Sequence, residues 1–200
     1  MSIVDWQVLT GQSRAPLIAV DEHAAHYLHQ DVLPHWTQLA TSAAEAGFDL
    51  QIASAWRGFE RQQWIWNGKA SGQRPVLDAL GQPLDISVLS EDELLFAILR
   101  WSAIPGCSRH HWGTDLDVFD AAAVPTDYRV QLTTEECVGN GVLPTSTVGW
   151  MKNYRNRMRF FFVLIAGIMA ALLQSVGICR ASLSRIITNT YCMKRKCWTG

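Results

Sequence analysis

A chain of 200 residues that is 48% hydrophobic with a formal charge of −1 suits one globular domain, or a domain of about 140 residues with an appendage. The near-neutral total hides two unlike parts: eight basic against eighteen acidic residues before Leu143, a formal −10, and nine basic residues with no acid from there on. No nucleic-acid partner is expected of the acidic part, and five cysteines, two distant from each other at 107 and 137 and three near the C-terminus, make neither a disulfide framework nor a convincing nucleophile.

In chain order, the opening MSIVDWQVLT lacks the charged start and apolar core of a signal peptide, so a cytoplasmic location is expected. The segment HAAHYLH sets His23, His26 and His29 at three-residue spacing, compatible with one side of a helix; without a further ligand nearby they are expected as surface histidines. Trp36, Leu39, Ala43 and Ala46 predict a helix over 34–46 that stops at Gly47, a fitting residue beyond a helix C-terminus. DLQIAS then reads as a strand, and the helical pattern resumes from Phe59 to Lys69, which puts Arg57 on a strand-to-helix connection. GQRPVLDALGQPLD reads as a loop. Ser90 caps a predicted helix from Glu91 to about Trp101, with Glu93 at the capping-box position, and the Pro105–Gly106 turn leads on. LDVFD follows as a short strand. Of nine tryptophans, Trp56, Trp64, Trp66, Trp101 and Trp112 crowd these segments; Trp64 and Trp101, on helical patterns, are expected in the core.

The chemistry concentrates in SRHHWGTDLD, residues 108–117, where His110 and Asp117 lie seven residues apart around Gly113. A glycine there lets the chain fold back so that an imidazole and a carboxylate face one point, as two zinc ligands do. The plain alternative is a loop whose histidines and acids meet only water. Asp115 and Asp120 are expected as solvated acids, with Asp115 also placed to tune the ligand shell.

Ser54, Arg57 and Gln62, then Ser108, His110, Gly113 and Asp117, stand in the order and spacing S-x-x-R-x-x-x-x-Q then S-x-H-x-x-G-x-x-x-D. This pattern resembles the VanY-type D-alanyl-D-alanine carboxypeptidases, over nearly all of residues 1–142. The resemblance implies a zinc peptidase that removes the C-terminal residue, typically D-alanine, from a peptidoglycan-derived peptide. His110 and Asp117 would ligate Zn2+, Arg57 would hold the scissile carbonyl or oxyanion, and Ser108 and Gln62 would support the site or touch substrate. It also implies a late E-x-W-H segment that supplies a general base and the third ligand.

That segment is absent, because the six histidines are at 23, 26, 29, 35, 110 and 111. The break can mark a domain boundary, a membrane anchor or a change of reading frame, and the genetic code permits the last. Read one base earlier, codons allowed for Phe161 to Arg180 can spell FFRPYRGDNGGVAPERWHLS, and the single codons of Trp150 and Met151 force an acidic pair at 151–152. Taken at face value instead, the apolar run from Phe160 to Cys179, broken by Gln174 and Ser175, is about long enough to cross a bilayer, with arginines on either side. Membrane contact is expected only through that segment.

The expected architecture is α+β: a small, mainly antiparallel sheet flanked by helices, the DD-carboxypeptidase or hedgehog-like metallopeptidase core that the resemblance implies, incomplete at its C-terminus. Residues 1–142 form the partial core and 143–200 an atypical basic and apolar tail. The alternative function is a non-catalytic peptide-binding or membrane-tethered relic of the domain.

Overall fold

The computed structural model describes residues 5–131 other than Ala24, together with Glu136, Val142 and Leu143. Asp5 apart, these belong to one compact unit spanning residues 6–147. The segment 160–179 lies outside the described residues; among the described ones no helix is long and apolar enough to cross a membrane.

The architecture is α+β, and its strands pair as two separate antiparallel ribbons rather than one sheet. A short helix α1 (Trp6–Leu9) precedes β1 (Leu17–Ala19) and β2 (Tyr27–His29), which pair with Leu17 opposite His29. Helix α2 (Leu33–Glu45) leads to β3 (Leu50–Ser54), α3 (Phe59–Ala70) and α4 (Glu91–Trp101), and β4 (Asp117–Asp120) returns to pair with β3. Single 3-10 turns occur at Ile86–Val88, Arg109–Trp112 and Ala121–Ala123.

Local signals explain most of these elements. Helix α2 buries Trp36 and Ala43 and ends where Gly47, at φ +86°, turns the chain back toward the carbonyls of Ala43 and Ala44. Helix α4 starts on the expected reciprocal cap: the Ser90 hydroxyl accepts from the Glu93 N–H at 3.4 Å, and the Glu93 carboxylate accepts from the Ser90 N–H at 2.9 Å. The core is small. Leu28, Val32, Val76 and Ile98 are almost fully enclosed, each contributing roughly 2 kcal/mol by leaving water.

Several expectations need correction. HAAHYLH is not helical: Tyr27–His29 is a strand, so the three histidines share no helix face. Strands β1 and β2 escape notice because three residues leave too short a pattern to read. Trp64 and Trp101 are 53% and 38% exposed, not core, since α3 and α4 bury Gln62, Gly68 and Ile98 instead. Asp120 is no solvated acid: it is 5% exposed and its carboxylate accepts from the N–H groups of Asp49 and Ala122, clasping the end of β4 onto the chain entering β3.

Candidate metal centre and its arginine

The pairing of β3 with β4 builds the site. Leu50, Gln51 and Ile52 face Asp120, Phe119 and Val118 in turn, and an irregularity between Ile52 and Ser54 sets Ser54 opposite Asp117. Such a bulge re-aims the strand end where it occurs. Here it brings the chain from Ser54 to Arg57 alongside the turn that carries His110.

Long-range hydrogen bonds fasten the two segments. The Arg57 N–H donates to the His110 carbonyl at 3.0 Å, and the Trp56 indole N–H donates to the His111 carbonyl at 3.0 Å. The Trp112 indole N–H donates to the Leu9 carbonyl at 2.9 Å. Gly113 is in the left-handed conformation at φ +66°, and its carbonyl accepts from the His29 N–H at 2.8 Å. A Cβ at Gly113 would run into the Leu17 side chain and the His29 backbone, so the glycine is required by both conformation and space.

His110 and Asp117 come together as the spacing predicts: His110 Nε2 lies 3.5 Å from an Asp117 carboxylate oxygen. Two ligands about 2.05 Å from a tetrahedral zinc stand about 3.3 Å apart, so this separation fits one edge of a zinc shell. His110 Nδ1 is 2.9 Å from the Ala55 carbonyl. That acceptor fixes the proton on Nδ1 and leaves the Nε2 lone pair facing Asp117, the usual support for a metal-bound imidazole. Burial pushes His110 below its ordinary pKa, helped by the Arg57 charge and opposed by Asp115, Asp117 and the Ala55 carbonyl. A ligand must be neutral to bind a metal, so burial and metal binding favour the same form.

Asp115 stands beside them, 3.7 Å from His110 Nε2, and pairs with the Arg109 guanidinium at 3.1 Å. Among the described residues no group of three His, Cys, Asp or Glu side chains forms a metal cage. The donor set fits half a zinc shell.

Arg57 is held from behind. One terminal nitrogen donates to the Gln62 side-chain oxygen at 2.9 Å and the other to the Ser54 hydroxyl at 3.1 Å, while the Gln62 amide nitrogen donates to the Ala103 carbonyl at 2.6 Å. Gln62 is 0% exposed, with both ends of its amide used inside the protein; it positions Arg57 and offers no surface to a substrate. Burial lowers the Arg57 pKa, and Arg61 and Arg74 push the same way against Asp117 and Asp115. From so high an ordinary value the guanidinium remains a cation. Ser108 is buried at the entry to the 3-10 turn, where its carbonyl accepts from the His111 N–H at 3.1 Å.

His111 is the residue that sequence reasoning passed over. It is 1% exposed; Nδ1 meets the Arg57 carbonyl at 2.6 Å and Nε2 accepts from the Gly106 N–H at 3.0 Å. With Nε2 accepting, Nδ1 carries the proton, and the ring bridges the arginine segment to the turn before the metal motif. Only its adjacency to His110 could have drawn attention to it.

Several known proteins are similar to this chain. The family model of VanY, D-alanyl-D-alanine carboxypeptidase, matches residues 25–165. An uncharacterized protein of Haemophilus influenzae is 44% identical over 100 residues, 49% of this chain and 68% of that protein. Among solved structures, VanYB in complex with D-alanine-D-alanine gives a TM-score of 0.41 at 20% identity, over 53% of this chain and 51% of that one. A zinc-bound mutant of the vancomycin-resistance D,D-pentapeptidase VanY from a VanB-type cassette also gives 0.41 at 20% identity, over 58% and 63% of the two chains. This chain thus spans about half the length of the first of these structures. The chain belongs to the VanY family.

Proposed function

We propose that this member of the VanY family is built as a zinc-dependent carboxypeptidase that removes the C-terminal residue of cell-wall peptides ending in D-alanyl-D-alanine, and that this polypeptide lacks the piece completing its metal shell. The 3.5 Å approach of His110 Nε2 to Asp117, with Nδ1 tethered to Ala55, carries the reading. Zinc, when bound there, would supply hydroxide at neutral pH by lowering the pKa of a bound water to about 7.

The chain's own residues have distinct parts in this chemistry. His110 and Asp117 would hold the ion. Arg57 presents a fixed positive charge to the scissile carbonyl, where negative charge develops as the tetrahedral intermediate forms. Gln62 and Ser54 keep the guanidinium from turning away, so little reorganisation is needed at the moment of reaction. Ser108, buried at the entry to the 3-10 turn, supports the metal motif through its carbonyl, which accepts from the His111 N–H.

A single-base frame change near Val142 would explain the incomplete shell, since the neighbouring frame can read E-R-W-H at the positions of Ser175 to Ile178. As it stands, two protein ligands leave half a tetrahedral shell to water. That incompleteness favours a second reading for the 200-residue polypeptide itself, a peptide-binding relic without catalysis.

Hydrolysis of a peptide ending in D-alanyl-D-alanine, measured with zinc and again with EDTA, tests both. We expect the 200-residue chain to be nearly inactive, and the chain rebuilt in the neighbouring frame to be active and silenced by EDTA. In the rebuilt chain Arg57→Lys should lower kcat about 100-fold. Strong EDTA-sensitive hydrolysis by the 200-residue chain would show that a ligand is already present; an inert rebuilt chain would end the peptidase reading.

A further inference from the structure

Helix α3 carries, just beyond Arg57, a feature that the proposed chemistry leaves unused. The exposed indole of Trp64 is covered by two guanidinium groups: that of Arg61, one turn earlier on the helix, at 4.4 Å from the ring centroid, and that of Arg74, from the loop after the helix, at 4.9 Å. Arg74 reaches the ring by packing its aliphatic stem against Gly68, where a Cβ would collide with it, and its Nε is buried without a hydrogen-bond partner. Lys69 follows on the same helix, its ammonium donating to the Ser102 hydroxyl at 2.8 Å.

Among the described residues, the ion pairs seen involve His29, Arg109 and His110 as cations, not Arg61, Lys69 or Arg74. Burial lowers the Lys69 pKa, and the neighbouring charges of Arg74 and Arg57 add to it. Stacking on an indole holds a guanidinium in place while leaving its edge donors free, and those donors match a carboxylate bidentately.

We propose that Arg61, Arg74 and Trp64 form a subsite for a carboxylate on the substrate peptide, carried by an acidic residue immediately before the D-alanyl-D-alanine end. The placement follows from reach. The charges of Arg61 and Arg74 both act on the Arg57 guanidinium, which sets the pair in its neighbourhood. One residue step of an extended peptide, about 3.5 Å, plus an acidic side chain of similar reach carries a carboxylate from the scissile carbonyl out to such neighbours. The subsite rests on the peptide-binding reading of the Arg57 cleft, and it makes an additional claim: that the enzyme selects on charge at a position it does not cleave.

The test is calorimetric titration of the full 200-residue chain with two probe peptides, acetyl-Glu-D-Ala-D-Ala and acetyl-Gln-D-Ala-D-Ala, so that no turnover is required. We expect the Glu peptide to bind about fivefold more tightly at low salt, a preference sized by a charge-assisted hydrogen bond at a partly exposed site. In Arg61→Gln/Arg74→Gln the two peptides should bind alike. Trp64→Phe, which retains a ring for stacking, should keep part of the preference and guards against loss of fold. Equal binding of both peptides to the unaltered chain, or a preference that survives in the double variant, overturns the subsite but leaves the peptide-binding reading standing. Failure of both peptides to bind overturns both readings, and binding of the Gln peptide alone overturns the subsite.

Discussion

Helix α4 and the corner around Arg57 and His110 satisfy their polar groups in opposite ways. At the start of α4 the partners are Ser90 and Glu93, three residues apart and exposed. At the corner, Trp56 and His110 bond to residues fifty-five positions away, Gln62 to a carbonyl forty-one away, and Trp112 to one a hundred and three away. The helix end can form as soon as its own turn forms, whereas the corner exists only once β3, β4 and α1 are all in place. Damage at the cap should therefore be local and mild, and damage at the corner should spread to the fold and to the site together.

Gly113→Ala strikes the corner hardest. It adds a left-handed strain to a collision with the Leu17 side chain and the His29 backbone, and it should cost about 3 kcal/mol in urea unfolding. Gln62→Leu comes next. It strips the Arg57 guanidinium and the Ala103 carbonyl of a partner in a buried place, for a loss of about 2 kcal/mol by the same measurement.

At the helix, Ser90→Ala should cost about 1 kcal/mol, since one hydroxyl cap is lost while the Ser90 N–H still reaches Glu93. The Ser90 N–H, then its hydroxyl, holds the Glu93 carboxyl below its ordinary range. A lowered folded value means that the contribution is present above the unfolded pKa and fades as the pH falls through the folded one. Denaturation of the parent and of Ser90→Ala at pH 7 and at acid pH should therefore show their difference shrinking in acid. The smallest effect belongs to Phe96→Ser on the open side of α4; at 69% exposure it should change stability by less than about 0.5 kcal/mol. A large loss there would mean that this face is covered, and the contrast between the regions would weaken.

The same division decides what the sequence reveals. Helix α4 was readable to its cap because Ser90, Glu93 and the apolar periodicity lie within one turn of each other. Strands β3 and β4 were readable as short apolar runs, and the approach of His110 to Asp117 followed from a turn glycine between them. What no local pattern could give is the set of partners across the chain. His111 as a bridge, Gln62 as a buried brace and Asp120 as a clasp depend on which distant backbone groups need a mate. Trp64 escapes the sequence pattern for a related reason: helical spacing marks a face, but Gln62 and Gly68 occupy the inward one and leave the indole to two arginines. The third metal ligand that the family pattern calls for has no counterpart among the described residues.

Zinc titration of the 200-residue chain, beside His110→Ala and Asp117→Ala, tests the half-built metal centre most directly. The account predicts one weak zinc per chain, removed by either substitution without loss of the folded state. Zinc held tightly, or held equally well after both substitutions, would contradict it.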